Sequence, residues 1–418
     1  MAEMKRISLH DGVQLHRYID PNFKTFRISV HMMVPLAREE VSKNCLLPAM
    51  VSRVSREYPD YTAMSAHLAD LYGAHIDSGV TKMGKYQVMT LSVGGIANRY
   101  AFDGENIEEE QRKLLFSVLF DPFRDSDGLF PEEGFDQEKR QTLEAMDSEF
   151  NDKIFYARKQ ALALFLGDAV QGISKKGTRE QVAALTREEL SAQWEKLMKE
   201  AQFEIFLLGD CASDPEAFRT AFQGYGVNYQ MDHGLAPKVV EKVKEKIEPA
   251  QTVQSKLVMI FRGPSDVRHY HPQRMMAAVF GGSPSAKLFL NVREKMGLCY
   301  YCAANIDPLV GCMIVESGVD TENVEKAKEA ILDQLAQLQA GELTDEEMLH
   351  TRLALCNGFR GVTDSLSAIE NWYLTHCLFP QQESPIQAME KIAQVTKEDV
   401  VNAANALKLD TVFVLKGE

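Results

Sequence analysis

Two stretches of this chain, about 210 residues apart, carry one pattern, and a period that long means duplicated domains, because solenoid repeats are far shorter. They are LTREELSAQWEKLMKEAQFEIFLLGD, from Leu185 to Asp210, and VTKEDVVNAANALKLDTVFVLKGE, from Val395 to Glu418. Each opens with Thr followed three residues later by an acid, Thr186 with Glu189 and Thr396 with Asp399, the spacing of a helix capping box or its near variant. Each then runs from a helix into an apolar strand that ends at Gly. Earlier segments match as well. YQVMTLSVGG from Tyr86 resembles CMIVESGV from Cys312, each a strand leading to a charged helix, and FPEEGFDQEKRQTLEAMDSEF from Phe130 resembles LTDEEMLHTRLALCNGF from Leu343.

The repeat predicts two homologous domains, 1–232 and 252–418. The stretch between them, 233–251 (HGLAPKVVEKVKEKIEPAQ), is charged, poor in aromatics and punctuated by Pro237 and Pro249, and it reads as a linker. Within each half, long helices follow groups of strands. The fold class expected is α+β, each domain a mainly antiparallel sheet with helices packed on one face.

A net charge of −14 over 418 residues argues against nucleic acid or an acidic membrane surface as partner, since either needs Lys and Arg gathered on one face. The start of the chain is basic, but no apolar core of signal-peptide length follows. No later run reaches the roughly 18 apolar residues of a membrane span. The seven cysteines, odd in number and scattered, do not resemble a disulfide framework. A reduced, cytoplasmic compartment is expected.

The segment FGGSPSAKLFLNVREKMGLCYYCAAN, from Phe280 to Asn305, carries the candidate chemistry. Ser283 reads as a helix N-cap with Pro284 at the first helical position, and Gly297 as the stop. Phe289, Arg293 and Met296 share one face at helical spacing, which would enclose Arg293 among apolar neighbours, where a guanidinium demands a partner. After Gly297 comes a strand in which Tyr300 and Cys302 face one side and Tyr301 the other, so Arg293 and Tyr300 could converge. A structural ion pair for Arg293 and core packing for Tyr300 explain the same residues.

Gly281, Gly282, Ser285, Leu288 and Phe289, followed by Val292 to Tyr300, resemble the second-half signature of the insulinase and mitochondrial-processing-peptidase superfamily of zinc peptidases. The doubled architecture, the charged linker and LADLYGA at Leu68 to Ala74 are similar to that family too, so the resemblance spans nearly the whole chain. It implies that the two domains form half of a clam-shell chamber closing on an extended peptide substrate. It further implies that Arg293 and Tyr300, with Tyr301 as the alternative, bind the substrate carbonyl and the charge developing on it, and that Gly281, Gly282 and Ser285 contact substrate.

Such enzymes place H-x-x-E-H on a first-half helix and a further Glu about 75 residues later; two His and one Glu bind zinc and the motif Glu activates water. The corresponding helix should lie just before LADLYGA, yet Leu46 to Val51 holds neither His nor Glu. No metal or other cofactor is therefore expected on this chain; the resemblance implies that Glu144 is the relic of the downstream ligand, and a solvated or ion-paired helix residue is the alternative. His269 and His271 alternate in HYH, which could put two imidazoles on one strand face, but no acid lies nearby in sequence. Cys299 and Cys302 read as buried thiols on opposite faces of a strand. GGSPS lacks the phosphate-loop lysine, and no G-x-S-x-G elbow supports a serine hydrolase.

The expectation is a non-catalytic subunit of a heteromeric processing peptidase. Its partner would be a zinc-bearing homologous subunit, completed here by Arg293 and Tyr300, with a homodimer as the alternative when that partner is absent. The competing expectation is a peptide-binding or scaffold protein with no part in proteolysis.

Overall fold

The computed structural model describes residues 2–229, 240–263, 270–379 and 382–418. They divide into two compact units, Met1–Asp147 with Ile173–Met231 and Leu366–Leu374, and Ser148–Gly172 with Asp232–Ser365 and Thr375–Glu418. Each unit therefore includes a helical segment from the opposite half of the sequence.

The first unit is built on β1 (Lys5–His10), β2 (Val13–Ile19), β3 (Thr25–Pro35), β4 (His75–Met83), β5 (Tyr86–Ile96) and β6 (Gln202–Gly209), in the order β1-β2-β6-β3-β5-β4. All neighbours are antiparallel except β2 and β6. The two faces differ in character because side chains alternate along a strand. Ile28, Val30 and Met32 of β3 join Leu15, Ile205 and Leu91 of neighbouring strands in a core closed by Leu46, Leu47 and Met50 of helix Val41–Ser52, Leu115 and Val118 of helix Ile107–Phe120, and Trp194 of helix Arg187–Glu200. Arg27, Ser29 and His31 fall on the opposite face, where the segment Leu366–Leu374 meets them.

The second unit holds β7 (Lys244–Ala250), β8 (Ser255–Arg262), β9 (Cys299–Asp307), β10 (Cys312–Val319) and β11 (Lys408–Gly417), in the order β7-β11-β8-β10-β9. Only β7 and β11 are parallel. This is the first unit's order from β2 to β4, with β1 left over, so the duplication read from sequence reappears strand for strand. Both capping boxes form as well: Glu189 N donates to Thr186 Oγ1 at 3.2 Å, and Asp399 N to Thr396 Oγ1 at 3.1 Å.

Strand β7 corrects the linker boundary, since Lys244–Ala250 lies inside the stretch read as linker yet pairs along its length with β11. It is an outer strand whose Lys and Glu side chains are mostly exposed. Charge and proline on an outer strand suppress unwanted pairing, and that composition is also what a solvated linker shows.

Helix Lys153–Leu166, from the first half of the sequence, lies on the second unit's sheet: Ala157, Ala161 and Phe165 cluster with Val258 and Ile260 of β8 and Phe413 and Leu415 of β11. Arg158 anchors it by a two-pronged bond to Glu316 of β10, with Nε to Oε1 at 2.6 Å. The Arg158 side chain keeps 46% of its exposure, so water can take over when the carboxylate is removed. Glu316→Ala is expected to cost about 1 kcal/mol or less by urea unfolding, and a loss several times larger would contradict this balance. Among the described residues no helix is long and apolar enough to cross a membrane.

Candidate functional site

The glycine turn that opens the motif lies directly against β9. Ala304 N donates to Gly281 O at 3.1 Å, and a Cβ on Gly281 would come within 2.6 Å of Ala304 N. Any larger residue would force the turn off the strand. Ser283 and Ser285 bond each other through their hydroxyls at 3.2 Å.

The helix does not start at Ser283 and Pro284 as expected. Those residues remain in turns, with Ala286 N donating to Ser283 O at 3.1 Å, and Leu288–Lys295 winds as a π-helix, marked by Met296 N to Asn291 O at 3.0 Å. Such widened turns are rare and concentrate at functional positions. Gly297 ends the helix as expected, at φ +64, with its N–H on Arg293 O at 3.1 Å.

Helix orientation reverses the expectation for Arg293. The buried positions are Leu288 and Val292, so the face bearing Phe289 and Arg293 turns outward. Arg293 keeps 40% of its side-chain exposure, lies 4.7 Å over the Phe289 ring and pairs with Glu294 at 3.5 Å. It is a stacked surface guanidinium rather than an enclosed one. The buried cation of this segment is Lys287, whose Nζ donates to Glu347 Oε1 at 2.7 Å. Burial works against ionisation of Glu347, but the Lys287 bond and the Thr344 cap hold its carboxyl below the ordinary range.

Tyr300 is 57% exposed, and its hydroxyl donates to Asp320 Oδ1 at 3.2 Å, a bond that pushes the phenol up. Its exposure follows from a β-bulge: Tyr301 pairs with Gly318, but Val319 pairs with Cys299 instead of Tyr300. Tyr301 is partly buried under Lys256 at 5.7 Å, and burial raises its phenol further. The bulge corrects another expectation. Cross-strand partners share a face, and Cys299 pairs with Val319 while Cys302 pairs with Ser317, two positions apart on β10. Both thiols therefore lie on one face, and both are buried.

Helix Val41–Ser52, which corresponds to the zinc-motif helix of the resembled peptidases, buries Leu46, Leu47, Met50 and Val51 in the first unit's core. Its buried polar residue Asn44 donates to Gln87 at 3.0 Å and accepts from Gln193 at 2.9 Å. Amides tied to each other and aliphatic side chains offer no donor set for zinc, so the residues here do not fit the metal. Glu144 is exposed on helix Glu132–Asp147. His269 lies outside the described residues; His271 sits at the start of helix Tyr270–Phe280 rather than on a strand, and its Nε2 meets Glu383 Oε2 at 3.0 Å.

Residues 184–355 match the family described as Peptidase M16 inactive domain. The chain is 27% identical to the probable inactive metalloprotease YmfF of Bacillus subtilis, over 98% of this chain and 97% of that one. It also superimposes on the crystal structure of a conserved protein from Enterococcus faecalis with a TM-score of 0.89 at 27% identity, each chain 99% covered. The chain is similar to the M16 peptidases. A Peptidase M16 inactive domain from Pseudomonas fluorescens shares the fold at TM-score 0.78 and 16% identity, covering 99% of this chain and 98% of that one. Partial likeness extends to an uncharacterized zinc protease of Rickettsia bellii, 22% identical over 37% of this chain and 38% of that one.

The chain also holds a charged cluster that sequence reasoning missed. On the polar face of the first unit, Glu370 accepts from Arg27 Nε at 2.6 Å and from His31 Nε2 at 2.8 Å, and His31 Nδ1 meets Thr90 Oγ1 at 2.9 Å. His16 is stacked on Phe206 at 4.4 Å and meets Glu204 Oε2 at 2.6 Å. Alternation along β2, β3 and β6 could have placed His16, His31 and Glu204 on one face. Nothing local could have brought in Glu370.

Proposed function

We propose that this M16 chain is the non-catalytic subunit of a two-subunit zinc peptidase, binding extended peptide and presenting Arg293 and Tyr300 to a substrate carbonyl held at a partner's zinc. The observation that carries the reading is the outward aim of both side chains. Arg293 stacks on Phe289 with only a long contact to Glu294, and Tyr300 stands on a bulge, exposed, with its hydroxyl on Asp320. Groups left wet at the surface are free to meet a ligand, and a preorganised guanidinium and phenol suit an oxygen that gains negative charge. The outer strand β4, with mostly exposed side chains, supports peptide binding by strand addition. Zinc is assigned to the partner because helix Val41–Ser52 offers it no ligands.

The test mixes the purified chain with a zinc-bearing homologue and a fluorogenic peptide. Cleavage is expected in the mixture and not with this chain alone, and Arg293→Ala or Tyr300→Phe should lower the mixed rate by at least about tenfold. Unchanged rates with both variants would overturn the reading and leave a peptide-binding or scaffold role. Stoichiometric zinc on the isolated chain would overturn the assignment of the metal to the partner.

A further inference from the structure

Helix Asp345–Val362 of the second unit is the repeat's counterpart of helix Glu132–Asp147 in the first, with Leu343 in the place of Phe130. The two bury equivalent positions, Phe135 in one and Met348 in the other. Their outward positions differ. Asp136 and Arg140 of the first helix are exposed charges, whereas the same places in the second hold Leu349 and Leu353, one turn apart and 50% and 53% exposed. Single exposed leucines are ordinary, but a pair on one helix face, where the duplicate keeps ions, is an apolar stripe left in water.

Charges close the stripe at both ends. Glu346 lies three residues before Leu349 and Arg360 seven after Leu353, so all four share one face, turned away from the buried Met348, Thr351 and Phe359. Among the described residues neither charge has an ion-pair partner. The Arg360 guanidinium reaches only the Asn357 amide oxygen, at 3.3 Å, and the Glu346 carboxylate has no bond, whereas its neighbour Asp345 is taken by Lys397 at 2.9 Å.

We propose that this face is an interaction surface whose occupant is a second copy of the chain, the two helices packing antiparallel about a two-fold axis near Leu353. A two-fold interface presents one patch twice, so the patch must be complementary to itself. This one is. Reversed on its own image, it sets leucines against leucines and carries Arg360 of each copy to the acidic start of the other's helix, where Glu346 has no counter-ion of its own. The pair of helices, about 27 Å long and about 10 Å wide, covers less than the roughly 800 Å² per subunit of a standard interface. The association is therefore weak, with a dissociation constant of about 10–100 µM. It goes beyond the proposed peptidase role, since neither Arg293 nor Tyr300 lies on this helix.

Sedimentation velocity of the purified full chain, alone and from about 1 to about 300 µM, provides the test, and a shift from monomer toward dimer is expected across that range. Leu353→Asp should leave the chain monomeric with an unchanged circular dichroism spectrum, since the position is exposed. Arg360→Glu sets acid against acid and should weaken association at least about tenfold. Adding Glu346→Arg to Arg360→Glu should restore it to within about threefold, a rescue that general damage to the helix would not allow. A wild-type chain that stays monomeric throughout would overturn the proposal, as would a dimer indifferent to both Leu353→Asp and Arg360→Glu. Loss in the single charge variant without rescue in the double would overturn the antiparallel arrangement. Monomers that bind a zinc-bearing homologue through Leu353 would give the face to that subunit instead.

Discussion

Replacing Glu370 by alanine should destabilise the protein by about 3–5 kcal/mol, the cost of breaking a buried ion pair by removing one partner. The carboxylate is 5% exposed and receives both Arg27 and His31, which are 19% and 4% exposed. Without it, Arg27 keeps its longer contact to Asp77 at 3.3 Å, while His31 keeps only Thr90 among these partners. The contrast with Glu316 is the informative part. Both glutamates tie a helical segment to a sheet through arginine, but Arg158 is half in water and Arg27 is not. Urea unfolding of both alanine variants decides it, and equal losses would show that burial of the cation is not what sets the cost.

Acid should weaken the same contact. Burial pushes the Glu370 carboxyl up, but the hydrogen bond and charge of His31, the charge of Arg27 and the Ser29 hydroxyl outweigh it and hold it at about 2. An unfolded glutamate titrates near 4.3. Because the folded value is the lower one, the stabilisation is complete above about pH 5 and disappears as the pH falls toward 2, amounting to about 3 kcal/mol. The stability difference between wild type and Glu370→Gln should therefore stay constant from pH 8 to 5 and shrink below that. A gap that persists at pH 2 would mean that the carboxyl is not held ionised by these neighbours. Glu204, also lowered despite its burial by His16 and Arg6, adds a slope of the same sign to both proteins.

What could be read from the sequence was what is locally written. Capping boxes and apolar strands recur at both ends of the repeat, so the doubling, the α+β class and the matched strands β5 and β10 were visible. Strand β7 was missed because an outer strand protected by Lys, Glu and Pro has the composition of a linker. For the candidate site, the stop at Gly297 and the residues of the motif were legible, but the buried side of the helix was not. Phe289, Arg293 and Met296 form one apolar stripe and Leu288 with Val292 another, and the choice between them is made by packing in the second unit. The bulge that brings the two thiols together shows only in the pairing of β9 with β10. Glu370 meets His31 across 339 residues, a separation no periodicity can span.

The placement of Leu366–Leu374 in the first unit has a consequence for biosynthesis. Arg27 and His31 leave the ribosome early, whereas Glu370, the carboxylate that both bond, is made near the end of translation. At bacterial elongation rates the intervening stretch takes on the order of ten seconds or more. For that interval the nascent amino-terminal sheet holds Arg27 and His31 without the acceptor that both share in the folded chain, and that contact is among the last that the growing polypeptide can make.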